Sequence, residues 1–302
     1  MINIRNRTEY CFRKAFGPID SVVAASTGNA LGICDSGTWG HVNFSKACKA
    51  LGKKALFGVE IPIVEDATER SKQPANEMAF IAKNNEGLSE IYQLVTKSTD
   101  KQHFYYFPRL SYEHLFDLSD NVIILSGTNP NWGLLPLTQK ENLYIELNPM
   151  SVRKSLDFAE RKGFKVVATS DNFYPAVKDK KAYEVLIGRN RTDRTAPMHI
   201  LNEWEWREAL PWAPEEAIKN TYEIAKSCDV DLPTATNITF RSEKTLKQMC
   251  EEGAVKKKID LSDEVYSARL KREIDMIALK KFEDYFYVIA DMIKYAKQHM
   301  LV

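Results

Sequence analysis

Three acidic residues stand within or just after predicted strands, and carboxylates in such positions could form a polar site or bind a hard cation. Asp35 follows Leu-Gly-Ile-Cys, Glu60 lies within Leu-Phe-Gly-Val-Glu, and Asp171 follows Val-Val-Ala-Thr-Ser. Glu146, within Leu-Tyr-Ile-Glu-Leu, has a similar setting. Strands of a β-α repeat gather site residues at their carboxyl ends. A single acid after a strand is commonly a helix cap or a turn residue, so both interpretations stay open.

The elements that would position these acids alternate along the first part of the chain. Short β-branched runs without polar alternation are typical of strands buried on both faces. The predicted strands are Ala30–Cys34, Lys54–Ile63, Met78–Ala82, Val122–Ser126, Leu143–Leu147 and Lys165–Thr169. The predicted helices are Val42–Leu51, Leu88–Ser98, Tyr112–Leu118 and Val152–Lys162, the last ending at Gly163. This alternation predicts an α/β fold with a parallel sheet or barrel.

Composition limits the class of protein. The chain has 302 residues, of which 44% are hydrophobic and 27% charged, enough for one large or two modest globular domains. A net charge of +1 gives no overall field that would attract nucleic acid. The five cysteines show no Cys-x-x-Cys spacing, and no signal peptide or membrane span is apparent. We therefore expect a cytoplasmic protein without membrane contact.

The pattern becomes helical beyond His199. The predicted helices are Glu203–Leu210, Pro214–Cys228, Leu246–Lys258 and Ser262–Met300, with an extended linker at Asp229–Thr239 and a break around Lys280–Asp284. The final helical stretch carries a dense apolar and aromatic surface, which indicates a partner interface or packing against the chain's own first part. The candidate interface residues are Phe282, Tyr285, Phe286, Ile289, Met292 and Ile293.

Short motifs along the chain occur in an order that one known family shares. Asn-Ile-Arg-Asn-Arg-Thr-Glu-Tyr-Cys stands at residues 3–11, Gly-Val-Glu at 58–60, and Ile-Ala-Lys-Asn-Asn-Glu-Gly at 81–87. Leu-Ser-Gly-Thr follows at residues 125–128, and the stretch 269–299 contains Phe-Glu-Asp-Tyr-Phe-Tyr-Val-Ile. These motifs resemble the PHP (polymerase and histidinol phosphatase) domain and the following helices of bacterial C-family replicative polymerases, the DNA polymerase III α subunits.

The resemblance implies a fold and a domain organisation. It implies a distorted β/α, TIM-like PHP barrel followed by a helical C-terminal extension. Residues 1–230 would form the PHP domain with a degenerate metal site, and residues 231–302 a linker and helices leading into the polymerase palm.

The resemblance also implies a metal site that has lost its ligands. Histidines of the family motif are replaced by other residues, and a cysteine by a threonine, whereas three carboxylates remain. The replaced positions are Arg5, Arg7, Ser36, Glu77, Phe173 and, for the cysteine, Thr128; the retained acids are Asp35, Glu60 and Asp171. A guanidinium has no lone pair for a metal and stays protonated. We therefore expect no catalytic residue and no metal or other cofactor here, since Mg²⁺ would belong to the palm.

Removing cations from a group of buried acids leaves uncompensated charge. We hypothesise that Arg5 or Arg7 forms a salt bridge with Asp35, Glu60 or Asp171. The alternative is that both arginines point into solvent.

Three functions remain open from the sequence. The chain ends before the position of the family's Gly-Pro-Gly-Arg-Gly-Ser motif, so we expect the palm aspartates on a missing or separate polypeptide and this chain inactive alone. It would then be a structural and docking segment in DNA replication, with the remaining polymerase segment, a proofreading exonuclease and, through the assembled polymerase, DNA as partners. The alternatives are a residual metal-dependent phosphoesterase or 3′–5′ exonuclease, and a stand-alone protein that binds replication partners.

Overall fold

A computed structural model of the chain describes residues 1–138, 141–188, 196–234 and 238–300. Two compact units, Met1–Leu232 and Pro233–Val302, make up the chain. The strands are β1 (Ala30–Asp35), β2 (Lys54–Val64), β3 (Asn76–Ala82), β4 (Leu110–Ser111), β5 (Val122–Leu125), β6 (Leu143–Leu147) and β7 (Lys165–Ala168). The first unit's helices are α1 (Ile19–Ala25), α2 (His41–Ala50), α3 (Asn85–Thr99), α4 (Arg153–Lys162), α5 (Lys180–Ile187), α6 (Glu203–Ala209) and α7 (Glu215–Ser227).

The strands form one mixed sheet in the order β1-β2-β3-β5-β6-β7, with β4 paired to β2. All pairings are parallel except those of β3, which runs antiparallel to both β2 and β5. The predicted α/β class is confirmed, but the prediction of a parallel sheet is wrong at β3. Residues 65–75, which connect β2 to β3, contain no helix, and a parallel return would need a longer crossover connection.

The N-terminal segment, residues 2–8, joins the two ends of this strand order. The backbone N–H groups of Gly32 and Cys34 in β1 donate to the carbonyls of Asn3 and Asn6, at 2.9 and 2.8 Å. Gly32 permits this approach, because a Cβ there would lie 1.9 Å from the Ile4 carbonyl oxygen. On the other side, Asn172, just after β7, accepts from the Arg7 backbone N–H at 3.1 Å. The sheet is therefore curled, and this segment lies between its first strand, β1, and its last, β7. We call this junction the seam.

The apolar core lies between the sheet and its helices. Phe44 of α2 and Phe80 of β3 are fully buried within it. Trp206 of α6 is also buried, and its indole Nε1–H donates to the carbonyls of Leu147 and Thr169, at 3.3 and 3.2 Å. This side chain fixes α6 against the ends of β6 and β7.

Most predicted elements form within one or two residues of their predicted bounds. Two helices differ more. The α3 helix begins at Asn85, three residues before the predicted Leu88, and the helix predicted at Tyr112–Leu118 is a 3₁₀ helix over Tyr112–Leu115. The backbone N–H groups of Phe116 and Leu118 donate to carbonyls three residues back, so the tighter winding continues past its end. Gly163 ends α4 with φ 73°, as predicted.

The second unit is helical. It contains α8 (Leu246–Lys257), α9 (Glu264–Leu279) and α10 (Glu283–His299). The predicted break between the last two is present, and Lys281 there has φ 55°. Part of the predicted linker, residues 235–237, lies outside the described residues. No described helix combines the length and apolar character needed to cross a lipid bilayer.

Candidate functional site

Arg5 and Arg7 point from the N-terminal segment into the curled sheet. Both side chains are 2% exposed, and the acid between them, Glu60, is 1% exposed. The two arginines are held by the pairing of this segment with β1, and Glu60 by the middle of β2. The alternative that the arginines point into solvent is wrong.

Arg5 connects acids from different strands. Its guanidinium forms an ion pair with Glu146 of β6, and its Nη2 lies 3.1 Å from Glu60 Oε2. The same nitrogen lies 3.8 Å from Asp171 Oδ1 and donates to the carbonyl of Glu77 at 3.2 Å. One side chain therefore links β2, β3, β6 and the segment after β7.

Arg7 holds the acids on the other side. Its Nε donates to Glu60 Oε2 at 2.8 Å, and its Nη1 lies 2.7 Å from Asp171 Oδ1. Its Nη2 lies 3.4 Å from Glu77 Oε2, and its guanidinium carbon is 4.5 Å from the ring centroid of Phe173. The hypothesised salt bridges are thus confirmed for Glu60 and Asp171.

Asp35 is outside these ion pairs within the described part of the chain. Its carboxylate is buried and accepts from the Thr8 backbone N–H and hydroxyl, both at 2.6 Å. Burial raises the pKa of Asp35 above its ordinary value, although the bonds from Thr8 oppose that shift. Asp35 therefore anchors the end of the N-terminal segment, a role that the sequence analysis did not assign.

Two members of the cluster were not predicted as site residues. Lys14 forms an ion pair with Glu60 and lies 2.5 Å from Glu77 Oε1. Glu146 was noted in the sequence as an acid in a strand but was not chosen as a site residue, although it lies near the end of β6. Lys14 lies in a loop without any periodic pattern, so the sequence contained no signal for it.

The electrostatic balance keeps the central acids ionised. Burial opposes ionisation of Glu60, but Arg7, Lys14 and Arg5 outweigh it and hold its pKa well below the usual range. Burial likewise opposes ionisation of Asp171, and Arg7 and Arg5 lower its pKa. The acids raise the pKa values of both arginines despite burial.

The remaining predicted positions lie around two cavities at this edge of the sheet. One, of about 260 Å³, is lined by Arg5, Arg7, Glu77, Thr128, Asp171 and Phe173. The other, of about 270 Å³, is lined by Lys14, Ser36, Glu60 and Glu77. Glu77 reaches this edge from the start of β3 because that strand runs in reverse. Eight of the nine predicted positions thus line these two cavities, and the ninth, Asp35, bonds to Thr8. That these positions once held metal stays a prediction.

The side chains gathered here do not fit a multinuclear metal centre. Oxygens of Glu60, Glu146 and Asp171 pair with guanidinium nitrogens, so they are already engaged by cations of the chain. Among the described residues, no three or more His, Cys, Asp or Glu side chains come together in a way that could hold a metal ion. Such a centre needs imidazoles and free carboxylates around a reactive water.

Comparisons with known proteins show which families the chain resembles. Residues 3–137 match the PHP domain, and residues 244–302 match the "Bacterial DNA polymerase III alpha NTPase domain". Proteins named DNA polymerase III subunit alpha are 26% identical in Treponema pallidum, over 89% of this chain, and 25% identical in Bacillus subtilis, over 87% of it. The first part of the chain is therefore similar to a PHP domain, and most of the chain is similar to bacterial DNA polymerase III α subunits, as predicted.

The chain spans 27% of the length of the Treponema relative and 26% of the Bacillus relative. Among solved structures, a putative metal-dependent phosphoesterase from Bifidobacterium adolescentis has a TM-score of 0.41 at 11% identity, covering 71% of this chain and 96% of that one. An amidohydrolase from Chromobacterium violaceum has a TM-score of 0.38 at 11% identity, covering 61% of this chain and 96% of that one.

Proposed function

We propose that this chain is a structural, non-catalytic PHP region of a DNA polymerase III α-like replicative polymerase. The observation that carries the proposal is the pair of buried guanidinium groups among the acids at the edge of the sheet. A phosphoesterase at this edge would need a metal or a general base with a free lone pair. Here cations of the chain itself pair with the oxygens of Glu60 and Asp171 and lower their pKa values, which makes both acids weak bases.

The proposed partners follow from the resemblance of the chain's motifs to those of the replicative polymerases. A polypeptide that carries the polymerase palm is the principal one, with a proofreading exonuclease as a second, and DNA is reached through the assembled polymerase. The candidate contact surface is on α10, where Phe282, Tyr285, Phe286, Met292 and Ile293 are exposed and Ile289 is half-buried. Exposed aromatic and methionine side chains are enriched at protein interfaces.

The first test concerns chemistry. The purified chain is measured for bound Mn, Zn and Fe, then incubated with a 3′-labelled oligonucleotide in Mn²⁺ or Zn²⁺, beside an Asp171→Ala variant and an active metal-dependent phosphoesterase. We expect no stoichiometric metal and no hydrolysis above the variant. Stoichiometric metal together with an activity that Asp171→Ala abolishes would establish the phosphoesterase or exonuclease alternative instead.

The second test concerns assembly. The chain is mixed with the palm-bearing polypeptide, and complex formation is followed by size-exclusion chromatography. We expect co-elution that Met292→Asp on α10 weakens and that Val265→Asp on α9 leaves intact, since both residues are exposed. No complex between two well-folded components would contradict the docking role. A complex that tolerates Met292→Asp would move the contact away from α10.

A further inference from the structure

We infer that Arg5 and Arg7 are internal counter-ions on which closure of the curled sheet depends. Their main contribution would be to balance the charge of the buried carboxylates, in addition to packing and donating hydrogen bonds. The inference concerns how the fold is held together and does not depend on the proposed function.

The charges of the cluster divide into a buried and a wetter part. Lys14 and Glu77 are 25% and 36% exposed, so water compensates part of their charge. The buried part consists of two cations, Arg5 and Arg7, and three anions. Those anions are Glu60, Glu146 and Asp171, with side chains at most 10% exposed. Removing one arginine would leave a single buried cation among three carboxylates, which solvent could not readily neutralise.

The buried acids come from separate elements. Glu60 belongs to β2, Glu146 to β6, and Asp171 follows β7. These elements are not neighbours in the strand order from β2 to β7, apart from β6 and β7. Without the guanidinium groups, the three carboxylates would repel one another across the interior of the curl.

The seam itself is otherwise held by few neutral hydrogen bonds. Asn172 exchanges side-chain hydrogen bonds with the backbone of Arg7, accepting at 3.1 Å and donating at 3.2 Å. Asn3 donates to Ser170 Oγ at 3.2 Å and to the Leu201 carbonyl at 2.9 Å. Arg7 adds the ion pair to Asp171, the residue directly before Asn172. Repulsion at Asp171 would therefore act on the residues that close the seam.

The test is a double-mutant cycle of Arg7→Met and Asp171→Asn in the full chain, at fixed pH and ionic strength. Methionine keeps apolar bulk but removes the charge. Asparagine removes the opposing charge and tolerates the left-handed backbone of Asp171, with φ 46°. Arg109→Met is the matched control, because Arg109 is equally buried but bonds to backbone carbonyls.

We expect Arg7→Met to lower the unfolding temperature by about 6 °C or more. Adding Asp171→Asn should recover about half of that loss or more, whereas it should recover none of the loss caused by Arg109→Met. Hydrogen exchange gives an independent readout at the seam. The amides of Gly32 and Cys34 should lose protection in Arg7→Met and regain it in the double variant.

Losses that simply add in the double variant would overturn the inference, because they would mean that Arg7 acts by packing and hydrogen bonding. If Arg7→Met is insoluble, the solubility of the double variant becomes the readout. A soluble double variant supports the counter-ion role, and an insoluble one contradicts it, provided that Asp171→Asn alone is soluble.

Discussion

Two buried arginine environments in the first unit satisfy their guanidinium groups in different ways. Arg5 and Arg7 face carboxylates from several strands, as the ion pairs with Glu60 and Asp171 show. Arg109, 1% exposed, instead donates to backbone carbonyls. Its acceptors are the carbonyls of His103 at 3.2 Å, Ser71 at 3.0 Å, Ala67 at 3.3 Å and Glu69.

The difference has a physical consequence. Carboxylates titrate, and those around Arg5 and Arg7 come from elements far apart in sequence. Carbonyls do not titrate, and those around Arg109 belong to one loop and the segment beside it. The first environment should therefore control the stability of the whole unit and depend on pH, whereas the second should order a loop at any moderate pH.

The largest effect is expected for Arg5→Ala. The substitution leaves Glu146 without a buried partner charge and Glu60 with Arg7 as its remaining buried partner, which should cost about 3–5 kcal/mol in the free energy of unfolding. Urea denaturation monitored by circular dichroism measures it. Arg269→Ala is the control, because Arg269 pairs with Glu273 on the exposed surface of α9 and should show no measurable change. A loss below about 1 kcal/mol for Arg5→Ala would show that the arginines paired with carboxylates do not control the stability of the unit.

Arg109→Ala should have a smaller and more local effect. Loss of hydrogen bonds from a buried cation should cost about 2–3 kcal/mol. Hydrogen exchange should accelerate between residues 67 and 71, while amides of β6 respond only to the global loss. Equal acceleration in both regions would show that this arginine supports the whole unit, as we expect of Arg5.

The pH dependence separates the two environments. The pKa values of Glu60 and Asp171 lie below their ordinary values, so their contribution is present above about pH 4–5 and is lost as the pH falls further. Asp35, whose pKa is raised, acts in the opposite direction and reduces this loss. We expect wild type and Arg109→Ala alike to lose on the order of 2 kcal/mol between pH 7 and pH 3.5. Arg5→Ala should lose less, and an equal slope for all three proteins in urea titrations would contradict the assignment.

The smallest effect is expected for Lys14→Met. Lys14 pairs with Glu60 and Glu77, but its side chain is 25% exposed, so solvent screens the interaction. We expect a loss of about 1 kcal/mol, measured as a shift of the urea midpoint. A loss as large as that of Arg5→Ala would place Lys14 within the buried counter-ion set.

The sequence predicted those features that depend on local pattern. The buried strands β5 (Val122–Leu125) and β7 (Lys165–Ala168) form where β-branched runs predicted them. Gly163 ends α4 with a left-handed backbone, also as predicted. Acids within or just after predicted strands pointed to the group that contacts Arg5 and Arg7. The family motifs added Arg5 and Arg7, which no periodicity would have selected.

The features that could not be predicted from the sequence depend on tertiary context. Strand direction is not encoded in the apolar run of β3, so its reversal could not be read from Met78–Ala82. The pairing of Asp35 with Thr8, rather than with an arginine, depends on where the N-terminal segment turns. Lys14 joins the cluster only because that turn places its loop over Glu60.

The connection between β2 and β3 should tolerate changes in length less well than the turn that follows β3. In its first part, the carbonyls of Ala67 and Ser71 accept hydrogen bonds from Arg109. At its other end it leads into β3, where Glu77 pairs with Arg7. Inserting or deleting residues within 65–75 would shift Glu77 relative to its partners. The turn after Ala82, at the opposite edge, leads straight into α3 and lies away from the acids. Homologues should therefore conserve the spacing of the first connection more strictly than that of the second.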